Sequence, residues 1–597
     1  MLNKLLSDLP ALRGLSMAHI SLVLIGLMWV LPFLYYYHAY PLTTFYQEWG
    51  AGILGLSASI FLLNKSFWQQ PEVPRIVLLP IFLMLLVLLQ YLLGKIVYFD
   101  QALLFTLYML WATLLMMLGK ALRDKLGLPL LATVLAVFLL LGAELNAMLG
   151  ILQHYRWHTF LDSVVTAKNG IAVYGNMAQP NHYANYIMLG LISLGLLRMH
   201  MRNWQAVVLA LPLLFVLVLS GSRSSWLYML SLTALAALWQ HRDKPCKHLL
   251  HYGLVLLLGF GLMHWVVHLS WFSGTSGSVT TMQRMLAGDT SGSIRLYLWH
   301  ESWLIFSQFP LFGAGLGQFA WQHFQLGPLL HATNITGLYN NAHNLFIQIA
   351  VELGLSGLLI ALVTLGLWLW QSIRLQITQY HWWAYAVLSV LFIHSMLEYP
   401  LWYAYFMGVA AFLLGVLDHR VYRLELRKMG RLSVASILVL GFISMFQWQL
   451  GYQRLEGVLS IRAHSAADNT VANRMRDGLV QLYGIVLLQP YTELFLNNWM
   501  EINAQELDKK TAFNASSARF IPISNVVYRM AWLQALANKP AEARLQVERA
   551  IWAYPADFAA QKNELSALAQ KDPEHFAALL EFAIKKNEEY VNAVSAK

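Results

Sequence analysis

Charged residues and cysteine are scarce in this chain of 597 residues. Asp, Glu, Lys and Arg together make up 12% of the sequence, about half of the roughly 25% that is usual in soluble globular proteins. Hydrophobic residues make up 58%, and the mean hydropathy is +0.52. This composition excludes an ordinary soluble domain and indicates a polytopic membrane protein. The single cysteine, Cys246, excludes an intramolecular disulfide.

Motifs for nucleotides, metals and nucleic acids are also missing. The sequence contains no P-loop, no dinucleotide-binding glycine fingerprint after a strand and no HExxH pair. His154, His158 and Asp162 have a helical spacing that fits a metal site, but Trp157 and Phe160 equally indicate an interfacial helix. The net charge of +10 comes largely from short loops between apolar runs, and it reports topology rather than a nucleic-acid patch. We therefore predict no cofactor, no metal and no nucleic-acid partner.

Apolar runs of membrane-spanning length recur from the first fifty residues to about residue 450. They predict an all-α polytopic membrane protein with about 12–13 transmembrane helices. No small-residue cleavage site follows the first run, which predicts an uncleaved span rather than a signal peptide. The spans are predicted near residues 15–34, 46–63, 76–94, 101–119, 128–150, 182–197, 204–220, 224–240, 249–270, 344–370, 382–397, 401–417 and 432–450.

Lysine and arginine are unequally distributed between alternate loops. Under the positive-inside rule, the enriched side is cytoplasmic and holds the amino terminus, and the carboxyl-terminal segment lies on the opposite side. That opposite side also receives the loops 35–48, 151–181 and 271–343. The enriched loops contain Lys4, Arg13, Lys65, Arg75, Lys120, Arg123, Lys125, Arg198, Arg202, Arg242, Lys244, Lys247, Arg374, Arg420, Arg423, Arg427, Lys428 and Arg431; the other loops contain Lys95, Arg156, Lys168, Arg223, Arg284 and Arg295.

The apolar runs stop near residue 451. Residues 1–450 therefore predict a transmembrane domain, and residues 451–597 predict a small helical domain. Within the second, residues 527–554 indicate two amphipathic helices joined at Asn538-Lys539-Pro540, where proline can begin the second helix. The apolar spacing and the following Tyr554 suggest a tetratricopeptide-like hairpin.

A histidine flanked by asparagines lies where the long loop meets an apolar run. Imidazole can accept or donate a proton near neutral pH, so His343 is the candidate general base or acid. Asn341 and Asn344 are candidates to orient it or to bind a hydroxyl-rich substrate. The plainer alternative is a histidine that caps the entry of a membrane helix.

Two arginines are candidate anion-binding groups. Arg223 lies among glycine and serines in segment 220–225 between two apolar runs, and Arg295 lies on a predicted amphipathic helix of the long loop. Guanidinium matches phosphate geometry, so with His343 these arginines suit an anionic leaving group such as a lipid pyrophosphate. The alternatives are snorkelling of Arg223 to lipid headgroups and an ordinary solvated side chain at Arg295.

Further polar residues cluster at the ends of predicted spans. Gln179 precedes a proline and Asn181 is placed to cap the next span, but capping does not explain why Asn176, Gln179 and His182 occur together. Tyr399 lies in a turn made by Glu398-Tyr399-Pro400 between two spans, for which a plain proline turn is the alternative. Segment 313–317 is rich in glycine without the Lys-Ser/Thr ending of a phosphate loop, and it predicts a flexible turn.

Several of these segments resemble one bacterial enzyme superfamily. Segment 343–346 (HNLF) followed by 351–354 (VELG) resembles the signature of the O-antigen ligase and polymerase superfamily. Segments 178–182 (AQPNH), 38–41 (HAYP) with Glu48, and 397–402 (LEYPLW) resemble its protein O-oligosaccharyltransferase branch, the PglL type. The resemblance covers essentially the whole chain.

The resemblance implies a helical bundle in the bacterial inner membrane, with a large periplasmic loop and a periplasmic carboxyl-terminal domain. The implied reaction moves an oligosaccharide en bloc from undecaprenyl pyrophosphate to a Ser or Thr hydroxyl of a periplasmic acceptor protein, with a pilin as the expected acceptor. No nucleotide or metal takes part. By position, His343 matches the essential histidine of the family, Gln179 and Tyr399 match branch residues tied to activity, and Arg223 and Arg295 match the pair expected to hold the pyrophosphate.

Three alternatives remain open at this point. The same donor is used by O-antigen ligases, which act on lipid A core sugars, and by O-antigen polymerases; segment 179–182 favours a protein acceptor instead. The third alternative, from another class, is a transporter of lipid-linked sugars. Such a transporter calls for charged or broken helices near mid-bilayer, whereas the polar clusters of this sequence lie at span ends.

Overall fold

The computed structural model describes residues 16–242, 246–272, 291–333, 335–372, 374, 377–461 and 469–595. Some predicted features lie outside these residues. They are Lys4, Arg13, Lys244, Arg284 and the part of loop 271–343 that runs from 273 to 290.

The described residues are mostly α-helical, and each of the thirteen predicted spans coincides with a helical segment. Those segments are Met17–Met28 with Leu31–Leu34, Phe45–Ser59 with Ile60–Leu63, Leu78–Leu92, Phe99–Leu126, Leu128–Tyr155, Pro180–Leu197, Asn203–Leu219, Ser224–Arg242, Lys247–Val266, Leu345–Ser372, Gln379–Ser395, Ala404–Leu417 and Arg427–Leu459. The other α-helices are Ser291–Gln308, Phe319–Leu330, Asn469–Leu482, Gln489–Leu496, Leu507–Phe520, Ser524–Leu536, Pro540–Ala553, Phe558–Lys571 and Pro573–Ser595. Short 3-10 turns lie at Phe67–Gln69, Arg75–Val77, Asp162–Val164, Gly175–Met177, Arg198–His200, Pro400–Trp402, Asn497–Trp499 and Pro555–Asp557.

Seven helical stretches in the described part of the chain are long and apolar enough to cross a membrane. This confirms an all-α polytopic membrane protein. Helices Asn203–Leu219 and Ala404–Leu417 are apolar but shorter, and the count of 12–13 spans stays a prediction. The seven are Met17–Leu34, Arg75–Leu92, Phe99–Leu126, Leu128–Tyr155, Lys247–Val266, Leu345–Ser372 and Arg427–Leu459.

The chain divides into two compact units, and the predicted domain boundary near residue 450 stays a prediction. The first unit comprises Met1–Phe82, Tyr108–Thr290 and Ala361–Met445. The second comprises Leu83–Leu107, Ser291–Ile360 and Phe446–Lys597. The carboxyl-terminal segment therefore clusters with part of the predicted long loop rather than by itself.

The core of the first unit depends on small residues where its helices cross. Gly119 on helix Phe99–Leu126 and Gly415 on helix Ala404–Leu417 lie at one crossing: a Cβ at 415 would be 2.0 Å from the Met116 carbonyl oxygen, and one at 119 would be 2.4 Å from the Phe412 carbonyl oxygen. Small residues allow such close backbone approach between membrane helices. The two helices can therefore pack this closely only because both positions lack a side chain.

Gly415→Ala is accordingly expected to destabilise the protein by about 1–3 kcal/mol, the usual cost of overpacking. The thermal unfolding midpoint of the purified protein in detergent should fall. Gly261→Ala on helix Lys247–Val266 is the matched control, because no atom lies within 4 Å of its added Cβ. An unchanged midpoint for Gly415→Ala would contradict the close crossing.

Loops that the charge pattern assigned to one side contact each other at one end of the first unit. Strand Glu72–Pro74 pairs antiparallel with strand Val421–Arg423. The carboxylate of Glu72 accepts from Lys120 at 3.1 Å and lies 3.4 Å from Arg423. The Arg123 guanidinium donates to the Val416 carbonyl oxygen at 2.7 Å. These contacts bring the loops together within the first unit, and their assignment to the cytoplasmic side stays a prediction.

In the second unit, the carboxyl-terminal helices pack against part of the predicted long loop. Helices Ser524–Leu536 and Pro540–Ala553 coincide with the predicted helix pair, and Phe324 of helix Phe319–Leu330 is buried in their apolar cluster. The Gly337 N–H donates to the Ala553 carbonyl oxygen at 2.7 Å. The two predicted helices are confirmed, and their likeness to a tetratricopeptide repeat stays a prediction.

Candidate functional site

The residue that caps helix Pro180–Leu197 is Gln179. Its side-chain oxygen accepts the His182 N–H at 2.5 Å, and its backbone is extended. The expectation that Asn181 caps this helix was wrong, because Pro180 occupies the first helical position and leaves Gln179 as the residue before the helix. Asn181 is thereby left to make contacts elsewhere.

Asn181 joins three segments that are far apart in sequence. Its amide nitrogen donates to Glu398 Oε1 at 3.0 Å, and its amide oxygen accepts from the Ser222 hydroxyl at 2.8 Å. Ser222 and Glu398 are both buried. The hydrogen-bonded chain Ser222–Asn181–Glu398, which we call the Asn181 link, therefore fixes the turns that carry Arg223 and Tyr399.

Arg223 and Tyr399 lie directly beside this link. Arg223 is half-buried in the turn between helices Asn203–Leu219 and Ser224–Arg242, where Gly221 has a positive φ of 63°. Tyr399 is half-buried and its ring stacks on that of Tyr403, with centroids 5.9 Å apart. In the first unit, the structure thus brings together the predicted residues of segments 179–182, 223 and 399.

His182 points into the helical bundle. It is buried, and its ring lies 5.3 Å from that of His394 and 4.9 Å from that of Tyr403. His394 Nδ1 in turn accepts from the Asn185 amide at 2.8 Å. His394 and Asn185 were not among the predicted site residues, although polar residues inside predicted spans are themselves a signal of function.

The early segment that resembles the protein-glycosylating branch is tied to the same turns. The buried carboxylate of Glu48 accepts from the Tyr108 hydroxyl at 2.9 Å and from the Ala404 N–H at 2.6 Å. His38 Nε2 lies 2.8 Å from the carbonyl oxygen of Asn176, just before Gln179. Glu48 therefore holds the start of the helix that follows the Tyr399 turn.

In the second unit, His343 is held in a strained turn. Its φ is +52°, a left-handed conformation that is uncommon outside glycine. The His343 N–H donates to Asn341 Oδ1 at 3.0 Å. Asn344 Oδ1 accepts from the Phe346 and Ile347 N–H groups at 3.1 and 3.2 Å, so Asn344 caps helix Leu345–Ser372. Both asparagines shape the backbone around a half-buried imidazole.

Two buried polar residues on that helix, Gln348 and Glu352, hold the His343 turn through hydrogen bonds. Gln348 Oε1 accepts the Ala342 N–H at 2.7 Å, and Gln348 hydrogen-bonds Glu352, which also accepts from the backbone at Gly317 and Phe319. From the sequence, Glu352 was predicted only as a member of the VELG segment at 351–354. Together these groups connect the residue before His343 to the glycine-rich segment 313–317.

The segment 313–317 is not a free turn, contrary to the sequence interpretation. The Ala314 and Gly315 N–H groups donate to the Val351 and Glu352 carbonyl oxygens at 2.9 and 3.1 Å. The Val351 and Glu352 carbonyl oxygens can accept these bonds because Gly354, with φ +68° and ψ −165°, interrupts helix Leu345–Ser372 and with it the hydrogen bonds within the helix. The glycines thus permit a close approach to a broken helix, a function that composition alone does not reveal.

Arg295 lies on helix Ser291–Gln308 and is half-buried. One turn further along, the Trp299 indole N–H donates to the Ala342 carbonyl oxygen at 3.0 Å. Arg295 and Trp299 are four positions apart, which corresponds to about 6 Å along a helix axis. Within the second unit, the structure therefore places Arg295 near the His343 turn.

The hypothesis that His343 is a general base predicts that Gln348→Ala lowers the reaction rate by roughly 10- to 100-fold, since small misplacements of a reacting group cost that much. The unfolding midpoint should also fall, because the buried Ala342 N–H loses its acceptor at a cost of about 1–3 kcal/mol, so the rate is measured at a temperature where both proteins are fully folded. Gln308→Ala, at an exposed position on helix Ser291–Gln308, is the control. A Gln348→Ala protein with the full rate would show that Gln348 does not position the turn.

His154, His158 and Asp162, whose spacing fits a metal site, do not come together in one place. Helix Leu128–Tyr155 ends before His158, since Arg156 is left-handed with φ +53°. His154 Nε2 contacts the Phe272 carbonyl oxygen at 3.1 Å, whereas His158 contacts Asp162 at 2.9 Å. Among the described residues, no group of three His, Cys, Asp or Glu could hold a metal ion.

Three protein-family models match separate parts of the chain. Residues 173–197 match a model described as protein glycosylation ligase, and residues 205–362 match O-antigen ligase. Residues 382–568 match the carboxyl-terminal part of a virulence factor membrane-bound polymerase. Every predicted site residue lies inside one of these ranges.

Two curated proteins of Acinetobacter baylyi are similar over most of the chain. A general O-oligosaccharyltransferase is 27% identical over 436 residues, which cover 71% of this chain and 73% of that protein. A ComP-specific O-oligosaccharyltransferase is 25% identical over 388 residues, which cover 63% of this chain and 67% of that protein. These similarities confirm the family resemblance predicted from the motifs.

Proposed function

We propose, from the premise that the chain belongs to the protein O-oligosaccharyltransferase (PglL-type) branch of the O-antigen ligase superfamily, that it transfers a whole oligosaccharide from undecaprenyl pyrophosphate to a Ser or Thr hydroxyl. The acceptor is a periplasmic protein, with a pilin as the leading candidate. The observation that carries this proposal is the Asn181 link. Asn181, Ser222 and Glu398 each lie in a range matched by a different family model.

Arg223 and Arg295 bind the pyrophosphate of the donor in this proposal. Breaking the bond between the anomeric carbon and the pyrophosphate leaves negative charge on the lipid product. Fixed guanidinium groups stabilise that developing charge more in the transition state than in the ground state. The buried hydrogen bonds of Ser222 support this role, because they fix the turn from which Arg223 extends.

His343 accepts the proton of the acceptor hydroxyl. The hydroxyl oxygen forms a bond to the anomeric carbon, the bond to the pyrophosphate oxygen breaks, and the hydroxyl proton passes to the imidazole. Asn341 and Asn344 position His343 through the backbone contacts described above. The reaction needs no cofactor.

The remaining predicted residues position the substrates. Tyr399 and Gln179 flank the Asn181 link and are half-buried, so we assign them to the sugar or to the acceptor. Asn181 acts through Glu398 and Ser222. His182 is buried against His394, and it acts by supporting the start of helix Pro180–Leu197.

The proposed location is the bacterial inner membrane, with a cytoplasmic amino terminus. Loop 271–343 and residues 451–597 lie in the periplasm, where the helical carboxyl-terminal domain recruits the acceptor protein. The charge distribution between alternate loops supports this orientation.

Purified protein in detergent, with a lipid-linked oligosaccharide and a pilin, tests the proposal. Intact-protein mass spectrometry should show the pilin gain the mass of the whole glycan. Transfer without a closed compartment would exclude a transporter. A pilin of unchanged mass, with donor and enzyme shown to be intact, would reject it as the acceptor.

Ligation of the same donor to lipid A core is the second candidate, because residues 205–362 match an O-antigen ligase model. Deleting the gene separates the two functions. Loss of glycan from pilin with unchanged lipopolysaccharide supports protein glycosylation. Loss of O-antigen from lipopolysaccharide with unchanged pilin supports ligation.

A further inference from the structure

The connection between helices Leu78–Leu92 and Phe99–Leu126 is bound by the carboxyl-terminal part of the second unit. The Tyr98 hydroxyl donates to Glu493 Oε2 at 2.5 Å, and the Arg519 guanidinium donates to the Lys95 carbonyl oxygen at 3.0 Å. Asp100 Oδ1 accepts the Leu487 N–H at 2.5 Å. These bonds fix residues 487–493 at the level where a candidate membrane span begins.

Three apolar side chains just before this contact are exposed. Val480 is 55% exposed, Tyr483 51% and Val486 56%; we call these three residues the apolar ledge. Residues 478–492 contain no charged side chain. Surface segments of soluble domains normally carry charge and polar groups, so this segment has the composition of a surface that is not surrounded by water.

The ledge lies next to other exposed apolar side chains at the ends of candidate spans. Leu92 and Phe99, which end and begin candidate spans, are 79% and 48% exposed, and Leu93 beside them is 53% exposed. The Tyr483 hydroxyl is within hydrogen-bonding reach of Glu493, the carboxylate that also binds Tyr98. The ledge and the connection therefore lie side by side.

We propose that the apolar ledge inserts into the boundary between headgroups and acyl chains of the bilayer. Interfacial segments bury apolar side chains about 5–10 Å into this boundary, and tyrosine rings are enriched at that depth. The bilayer is favoured over a protein partner because hydrogen bonds to Asp100 and Tyr98 hold the ledge beside a span end. The ledge thus anchors the carboxyl-terminal domain close to the membrane surface.

Quenching by spin-labelled lipids tests the depth of the ledge. In a Cys246→Ser background, which removes the single native thiol, Val486→Cys and Val480→Cys are labelled with bimane in lipid nanodiscs. Leu92→Cys is the lipid-facing reference. Leu545→Cys, which is 44% exposed on helix Pro540–Ala553 of the same domain, is the water-facing control.

Lipids with a doxyl group high on the acyl chain should quench Val486→Cys and Val480→Cys nearly as much as Leu92→Cys, and should leave Leu545→Cys almost unquenched. Aqueous iodide should show the reverse order. If both ledge positions behave like Leu545→Cys with both quenchers, the ledge faces water or a soluble partner, and the proposal is overturned. Equal thermal unfolding midpoints among the labelled proteins confirm that each is folded.

Discussion

Replacing His343 is expected to slow glycan transfer strongly while leaving the protein folded. A general base contributes about 100- to 10,000-fold to a rate, so transfer by His343→Ala should fall by that factor. His343→Asn is the more informative variant, because asparagine tolerates the left-handed backbone at φ +52° and removes only the imidazole. Intact-mass measurement of the acceptor over time gives the rate.

His300→Ala is the matched control for this experiment. His300 is exposed on helix Ser291–Gln308, and its removal should leave the rate unchanged. Full transfer by His343→Asn, at normal membrane levels, would remove His343 from the catalytic role. Loss of both transfer and folding in His343→Ala alone would point to backbone strain, which the asparagine variant separates from chemistry.

Arg223→Ala is expected to reduce transfer by about 100- to 1000-fold, the usual effect of removing one group that stabilises developing charge. Arg223→Lys should keep an intermediate rate, because lysine retains the charge but loses the planar fork that matches phosphate. The same acceptor-mass assay measures both variants. A rising donor concentration should not restore the maximal rate, since the lost contact acts on the leaving pyrophosphate.

Arg202→Ala is the control, because Arg202 is an exposed arginine at the opposite end of helix Asn203–Leu219. It should transfer glycan at the normal rate. If Arg223→Ala and Arg202→Ala were equally active, the side chain of Arg223 would have no role beyond reaching lipid headgroups.

The sequence was sufficient to name the segments of the candidate site but not the contacts between them. Hydropathy runs predicted where helices occur, and polar residues at span ends identified Gln179, Arg223 and Tyr399. Periodicity assigns a residue to a helix face, and it carries no information about which distant turn that face meets. The bonds from Asn181 to Ser222 and Glu398 therefore emerged only from the fold.

The same limit explains the errors. Asn181 has good capping chemistry, but Pro180 already begins the helix and shifts the cap to Gln179. Segment 313–317 is rich in glycine, which is compatible both with flexibility and with close packing. Only the positive φ of Gly354 in a distant helix decides between them, and no local pattern around residue 313 predicts it.

The interrupted helix near Gly354 has a practical consequence for protein engineering. Leu355 and Ser356 donate to the carbonyl oxygens of Pro310 and Leu311, and Ala314 donates in the other direction to Val351. Surface loops usually tolerate extra residues at little cost. Here a residue inserted between 311 and 314 would prevent the bonds made by 310–311 and the bond made by Ala314 from forming together. An epitope tag placed at this glycine-rich site should therefore inactivate the protein, even though the site looks like a permissive linker.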